Sequence, residues 1–358
     1  MVLWDDSTMG PGGADMNWVR VLAHHAARTP DHPIAATDDG PVSYAEMAER
    51  SARLAGGLRA RGVEAGVVVA LLSYNSVEFL EAIFAVNHLG AVAMPINWRL
   101  APAEVRYLLE HSGSVAMFCD SELADLGEAA TAGLDVVRIA MPAPGRSDAH
   151  GWEQLGEVRS APVAPVVAAG DDLHRLMYTS GTTGRPKGVM ISHANLAWKN
   201  FAHVTELGIT AGDVGLACGP LYHVGALDLV TTSMIAVGAT TVVHRTFDAV
   251  RVIADIERHG VTVVWMAPAM LRAVLDDPTV GPADLSSVRL IIAGGEKLPI
   301  PFIDRLERHP AIAAELVELS GLLQARTTLG TKPLPVLEDT LLCLHAAYGA
   351  REVLTAVG

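Results

Sequence analysis

Two stretches of this chain alternate segments typical of β-strands with segments typical of α-helices, on either side of a Pro-, Ala- and Gly-rich connection at residues 140–170. Such alternation places successive strands parallel, with the helices packed against the sheet. The sequence therefore predicts an α/β fold. We expect strands at residues 67–72, 91–95, 115–119, 173–178, 214–218, 240–244, 261–266 and 288–293, and helices at residues 43–62, 75–90, 102–111, 194–207, 227–237, 249–259, 269–276 and 301–309.

Polar residues mark the starts of two of these helices. Ser43 and Glu46 have the spacing of a capping box, in which each side chain pairs with a free backbone N–H of the first turn. Asn75 with Glu78 has the same spacing. We expect Asn75 to start the second helix.

A loop rich in glycine and hydroxyl side chains follows the strand at 173–178. Glycines allow positive φ and close approach to an anion, so that backbone N–H groups can form a concave nest. Lys187 adds a mobile positive charge. The pattern predicts a phosphate-binding loop, the alternative being a surface turn. A P-loop is excluded because Pro186 stands where its second glycine is required. The loop glycines are Gly181, Gly184 and Gly188, and the hydroxyl donors are Thr179, Ser180, Thr182 and Thr183.

Charge and cysteine content limit the partners. The chain carries 40 acidic against 26 basic side chains, a net charge of −14 at pH 7. Nucleic-acid binding needs a basic surface, so we expect no nucleic-acid partner. Cys119, Cys218 and Cys343 have neither disulfide nor zinc spacing, which favours the reducing cytoplasm. No histidine pattern indicates a metal site, and we name no metal ligand.

Hydrophobic patterning argues against a membrane span or a secretion signal. Half of the residues are hydrophobic and the mean hydropathy is +0.31, yet no run of eighteen apolar residues occurs. Residues 1–16 lack the basic and apolar regions of a signal peptide. We expect them to be a disordered lead-in.

Five stretches in order resemble the adenylate-forming (AMP-binding) superfamily of acyl-CoA synthetases, aryl-CoA ligases, luciferases and peptide-synthetase adenylation domains. Residues 178–188 resemble its signature loop, and the resemblance covers about residues 17–309. The other matching stretches are residues 95–104, 220–225, 265–268 and 291–299.

This resemblance implies a fold and a reaction. The fold is the large N-terminal domain of the family, two stacked α/β subdomains with parallel-rich sheets and a partial β-barrel, at about residues 17–140 and 171–309. In the reaction, a carboxylate attacks the α-phosphate of ATP, and coenzyme A then captures the acyl-adenylate as a thioester. Mg²⁺ would bridge the phosphates. The implied activity is that of an acid–thiol ligase for a hydrophobic acid, fatty or aryl, with peripheral membrane contact left open.

Residue roles follow from the same resemblance. Lys187 and the hydroxyl-rich loop would hold the β- and γ-phosphates, and His223 would close the acyl pocket beside the reacting carboxylate. Taken alone, His223 could equally be a half-buried core histidine. Gly294 and Gly295 alone could form a plain turn. The implied acyl-site residues are Tyr222, His223, Val224, Gly225 and Trp265, and the implied adenine-site residues are Gly294, Gly295, Glu296 and Lys297.

Beyond about His309 we expect the resemblance to stop. The family's Tyr-Gly-x-Thr-Glu motif has only a superficial counterpart at Tyr348, which lacks the Thr. Too few residues follow to form the family's mobile C-terminal domain and its lysine. Residues 310–358 are therefore expected to be a divergent tail, with helices at 311–323 and 336–345. We expect weak or absent turnover, the alternative being a non-catalytic nucleotide- or acyl-binding remnant or interaction protein.

Overall fold

The computed structural model describes residues 15–144, 151–179, 186–294, 303, 315–320 and 323–328. The chain divides into two compact units, each with its own sheet. The first unit comprises Met1–Arg28, Ala45–Ser73 and Glu78–Trp198, and the second comprises Thr29–Tyr44, Tyr74–Val77 and Lys199–Gly358.

Strands and helices are numbered in chain order. The strands are β1 Pro33–Thr37, β2 Gly40–Ser43, β3 Val68–Leu72, β4 Val92–Ile96, β5 Ala116–Asp120, β6 Val137–Met141, β7 Glu153–Gln154, β8 Leu173–Thr179, β9 Lys187–Ser192, β10 Val214–Ala217, β11 Thr240–Val243, β12 Val263–Met266, β13 Leu290–Gly294, β14 Glu315–Ser320 and β15 Leu323–Thr328. The helices are α1 Val19–Arg28, α2 Tyr44–Arg59, α3 Val77–His88, α4 Pro102–Ser112, α5 Ala124–Thr131, α6 Leu155–Val158, α7 His193–Glu206, α8 Val224–Ala226, α9 Thr232–Val237, α10 Ala249–His259 and α11 Pro268–Asp276.

The first unit contains a seven-stranded sheet in the order β7-β6-β5-β3-β4-β8-β9. Its strands pair in parallel except for β8 and β9, which form an antiparallel pair. The central strand β3 reads Val-Val-Ala-Leu-Leu and is buried along nearly all its length. Continuous apolar runs of this kind suit a parallel strand covered on both faces.

The second unit contains an eight-stranded sheet in the order β15-β14-β13-β12-β10-β11-β1-β2. Its inner strands are parallel, and antiparallel pairs β1–β2 and β14–β15 lie at the two edges. Apolar residues of α10 and α11, among them Ile256 and Leu271, pack with strand residues such as Val264 and Ile291 into one core. This sheet fixes the carboxyl ends of β10, β12 and β13 side by side.

The predicted α/β class with parallel-rich sheets is confirmed, and β3, β4 and β5 are parallel as expected. The sequence does not predict the β1–β2 hairpin, β6 or β9, nor β7 and α6 within the Pro-, Ala- and Gly-rich connection. Asp15 was assigned to the disordered lead-in, but it is buried and pairs with Arg20 at 2.6 Å.

The expected helix at residues 311–323 is wrong within the described residues. Glu315–Ser320 forms β14, which pairs in parallel with β13, and Leu323–Thr328 returns beside it as β15. Pairing with an open sheet edge overrides a weak local helix preference, because each strand residue gains backbone hydrogen bonds there. The expected helix at 336–345 lies outside the described residues, as does 301–309 apart from Ile303.

No helix in the described ranges is both long enough and apolar enough to cross a membrane.

Candidate active site

The candidate site lies at the carboxyl ends of neighbouring parallel strands in the second unit. Strand β10 pairs with β12, and β12 pairs with β13, so their last residues reach the same edge of the sheet. Ligands of open α/β sheets bind at this kind of edge. The segment after β10 carries Tyr222, His223, Val224 and Gly225, β12 carries Trp265, and β13 ends at Gly294.

The indole of Trp265 lies against two glycines of the segment after β10. A Cβ atom on Gly225 would stand 2.3 Å from Trp265 Cζ2, and one on Gly219 would stand 2.6 Å from Cζ3. Neither glycine has a positive φ. Both are therefore required for space rather than for backbone conformation, since carbon atoms pack at about 3.5–4.0 Å. Gly219 was not among the predicted site residues.

His223 stacks on the same indole. The ring centroids of His223 and Trp265 are 6.3 Å apart, with an interplanar angle of 28°. The Nδ1 atom of His223 accepts a hydrogen bond from the Gly225 N–H at 3.2 Å, which caps the first turn of α8. An accepting Nδ1 leaves the proton of the neutral ring on Nε2. The His223 side chain is exposed, so it is not the core histidine of the alternative interpretation.

The surroundings of His223 keep its imidazole neutral. Partial desolvation by the surrounding protein lowers the pKa of His223 below its ordinary value, and the opposing effect of Asp228 is smaller. The imidazole is therefore neutral near pH 7 and presents an Nε2–H group. Such a group can donate to a carboxylate or phosphoryl oxygen.

A π-helical turn supports this segment from its far end. Leu227–Thr231 form the turn between α8 and α9. The Lys199 ammonium is fully buried and donates to the Asp228 carbonyl and to Thr232 Oγ1, the latter at 2.7 Å. The Asp228 carbonyl of this turn thereby gains a charged donor, and π turns of this kind are frequent at functional sites.

The other predicted acyl-site residues have unequal exposure. Tyr222 is half-buried and Val224 is exposed, whereas Trp265 is only 5% exposed. Among the described residues, Trp265 Nε1 finds no hydrogen-bond partner. Of the predicted adenine-site residues, Gly294 is buried at the end of β13, and Gly295, Glu296 and Lys297 lie outside the described residues.

The predicted phosphate loop connects the antiparallel strands β8 and β9 of the first unit. Thr179 pairs with Lys187, whose side chain is exposed, and Tyr178 pairs with Gly188. The remaining predicted loop residues Ser180, Gly181, Thr182, Thr183 and Gly184 lie outside the described residues. The positive φ expected at Gly188 is wrong, because this residue continues strand β9. A Cβ there would stand 2.9 Å from the side chain of Leu176.

Sequence reasoning also missed the function of Asn75. The helix it was expected to start begins at Val77, and the Asn75 side chain instead bonds the segment after β10. No local signal distinguishes these roles, because Gly219 and Leu221 are 144 and 146 positions away in the sequence.

Within the described part of the chain, no three His, Cys, Asp or Glu side chains cluster closely enough to hold a metal ion.

Comparison with known proteins identifies the family. The family model of AMP-binding enzymes matches residues 22–322, most of the chain. The chain belongs to the AMP-binding enzyme family. The match ends at residue 322, a little past the approximate end at His309 that the sequence predicts; the added residues include β14.

Its relatives in this family include CoA ligases. Feruloyl-CoA synthase from Amycolatopsis sp is 37% identical over 280 residues, which cover 78% of this chain and 54% of the relative. Indoleacetate–CoA ligase from Aromatoleum aromaticum is 35% identical over 308 residues, which cover 84% of this chain and 58% of the relative. The chain thus spans little more than half the length of these relatives.

Solved structures support the same fold. The inhibitor-bound N-terminal domain of FACL13 from Mycobacterium tuberculosis is 30% identical, with a TM-score of 0.76 over 86% of this chain and 76% of that one. The two sheets described above therefore correspond to the N-terminal domain of acyl-CoA ligases.

Proposed function

We propose that this chain binds ATP and a hydrophobic carboxylic acid and supports formation of the acyl-adenylate, as part of an acid–thiol ligase that transfers the acyl group to coenzyme A. The observation that carries the proposal is the cluster of His223, Gly225 and Trp265 at the carboxyl edge of β10 and β12. Membership of the AMP-binding family supports a nucleotide reaction at this edge.

His223 is proposed to act as a neutral hydrogen-bond donor. Adenylation joins a carboxylate to a phosphoryl group, so negative charge is crowded around the reacting oxygens. A donor fixed beside those oxygens stabilises them without reorganising in the reaction. The bond from Gly225 N–H to His223 Nδ1 fixes the ring and keeps the proton on Nε2. The buried Trp265 indole supports the His223 ring that stacks on it.

Lys187 and Thr179 are proposed to act on the phosphates. Lys187 stands at the start of β9 with an exposed ammonium, and Thr179 is its partner at the end of β8. This pairing fixes the two ends of the hydroxyl-rich loop at one position. A positive charge there would favour binding of the triphosphate and stabilise the leaving pyrophosphate.

The proposed substrate is an uncharged hydrophobic acid, with an aryl acid as our first choice. The relatives above are named for feruloyl and indoleacetate groups, both of which carry an aromatic ring. The described site residues Trp265, Tyr222 and Val224 are apolar or aromatic and carry no charge. Mg²⁺ would neutralise phosphate charge when bound, and coenzyme A would accept the acyl group; we assign no described residue to either.

Calorimetric titration with a non-hydrolysable acyl-adenylate analogue, in which a sulfamoyl group replaces the phosphate, tests binding. We expect saturable binding, and we expect His223→Leu to weaken it by about tenfold or more, because leucine cannot donate the hydrogen bond to a charged oxygen. His259→Leu is the matched control, a half-buried histidine at the end of α10. Failure of the unmodified chain to bind the analogue would contradict the proposal.

Carboxylate-dependent exchange of pyrophosphate into ATP tests turnover separately. Exchange at a measurable rate supports an active adenylating chain. Binding without exchange supports the alternative, a non-catalytic protein that binds nucleotide and acyl groups.

A further inference from the structure

The segment that carries His223 leaves the sheet at the end of β10. The last backbone bond between β10 and the residue after β11 runs from His244 N–H to the Ala217 carbonyl at 3.1 Å. In a continuing parallel ladder, the His244 carbonyl would next accept an N–H from the neighbouring strand. Here the chain after Ala217 turns away towards the candidate site.

Asn75 occupies the position where the ladder is interrupted. Its Nδ2 donates to the Gly219 carbonyl at 2.7 Å and to the His244 carbonyl at 2.9 Å. Its Oδ1 accepts from the Leu221 N–H at 2.7 Å. Two carbonyls and one N–H fix the orientation of the amide. In the flipped orientation its oxygen would face the two carbonyls and its NH2 group would face the Leu221 N–H.

All parts of this arrangement are buried. Asn75 is 5% exposed, and Gly219, Leu221 and His244 are buried. Asn75 is also held by its own backbone, which donates to the Arg245 carbonyl at 3.3 Å. A buried amide with all these bonds has little freedom to move, so it can define the position of the chain it contacts.

The bonded segment leads directly to the candidate site. Gly219 packs against the Trp265 indole. Two residues after Leu221, the His223 N–H donates to the Pro220 carbonyl at 3.1 Å and closes a turn. The position of His223 over Trp265 therefore depends on the backbone that Asn75 fixes.

We propose that Asn75 is a positioning residue for His223: by fixing residues 219–221 to the end of β11, it sets the stacking of His223 on Trp265 and the bond between Gly225 N–H and His223 Nδ1. The functional importance of this role rests on the proposed function, but the positioning itself does not.

Nitrogen NMR of protein labelled with ¹⁵N-histidine tests the positioning without any ligand. His223→Gln assigns the His223 signals. In the unmodified chain we expect the Nε2–H tautomer of His223 to dominate. Asn75→Asp keeps an acceptor for Leu221 N–H but cannot donate to the two carbonyls, and Asn75→Ala removes all three bonds. In both variants we expect a mixture of His223 tautomers, closer to that of a free imidazole.

Asn87 provides a matched control. It is fully buried in the first unit, and its Nδ2 likewise donates to two backbone carbonyls, of Ala91 at 3.2 Å and His174 at 2.8 Å. Asn87→Ala removes a comparable buried amide, so a general loss of stability would affect both variants. We expect it to leave the His223 tautomer unchanged.

The positioning role is refuted if folded Asn75→Asp and Asn75→Ala keep the native His223 tautomer, or if Asn87→Ala changes it equally. Hydrogen exchange in the unmodified protein needs no folded variant: slow exchange of Leu221 N–H supports the bond to Asn75, and fast exchange contradicts it. As a functional readout, Asn75→Asp should weaken binding of the acyl-adenylate analogue by about tenfold. An unmodified chain that shows the tautomer effect but binds no analogue contradicts the proposed function and leaves the positioning role supported.

Discussion

Gly225→Ala adds one methyl group against the Trp265 indole and so tests the packing of the site. The new Cβ would lie 2.3 Å from Cζ2 and 2.5 Å from both Cε2 and Cη2. Favourable carbon contacts lie at about 3.5–4.0 Å, so each of these three contacts is about an ångström or more too short. The overlap involves rigid ring atoms, and no rotation of the methyl group relieves it.

The indole has little room to retreat. Trp265 is 5% exposed, Gly219 packs against another of its ring atoms, and His223 stacks on it. Overpacking of a core typically costs about 1–3 kcal/mol. We expect Gly225→Ala to lie at the upper end of this range, at about 3 kcal/mol, and to displace His223 as well.

Urea denaturation at pH 7 measures this loss. Gly212→Ala is the matched control, because its nearest new contact would be Thr210 Oγ1 at 3.8 Å; we expect a change within about 0.5 kcal/mol. A double-mutant cycle with Trp265→Leu identifies the partner, since most of the cost should disappear with the ring. If Gly225→Ala is as mild as the control, or costs the same without the indole, the packing described for the site is wrong.

Three further predictions concern charged groups. Burial raises the pKa of Asp213, but bonds from Arg289, Thr262 and Thr210 outweigh it and hold the pKa at about 2, below the ordinary 3.8. This depressed pKa contributes about 2 kcal/mol to the free energy of unfolding above pH 3.8, and the contribution is lost as the pH falls through about 2. Asp213→Asn should therefore reduce the pH dependence of the urea midpoint between pH 3.8 and about 2. An unchanged pH dependence would exclude the contribution. Arg159→Met should cost about 3–5 kcal/mol, because it strands the fully buried Glu81 carboxylate that Arg159 contacts at 2.6 Å; adding Glu81→Gln should restore most of the denaturation midpoint, and no recovery would contradict this. Lys187→Met should weaken ATP binding in calorimetry while leaving the melting temperature unchanged, since the side chain is exposed; unchanged ATP affinity would exclude Lys187 from the phosphate site.

Strands and helices whose buried face shows as a local pattern of apolar residues could be predicted from the sequence. Strand β3 and the helix α10 are recognisable because their apolar spacing reflects the face that each buries. Strand β14 could not be predicted, because its conformation depends on pairing with β13 and not on its own pattern. Strand β1 pairs in parallel with β11, which lies some two hundred positions later in the sequence, so no local pattern indicates this pairing.

The site was predictable only in part, for the same reason. A motif places His223 and Trp265 in the sequence, but their contact requires β10 and β12 to be neighbours in the sheet. The resemblance implies that Gly225 belongs to the acyl site, and the structure places the Trp265 indole directly against it. Asn75 has the chemistry of a helix cap, and only the fold shows that distant backbone groups use its amide.

The most direct measurement of the central claim follows the His223 nitrogens while the acyl-adenylate analogue is added to ¹⁵N-histidine-labelled protein. A group that donates to the bound carboxylate or phosphoryl mimic must change its nitrogen shift on binding. We predict a saturable shift of the His223 Nε2 signal, with the His259 signals unchanged. Binding of the analogue without any change at His223, or no binding at all, would contradict an acyl-adenylate site at this edge of the sheet.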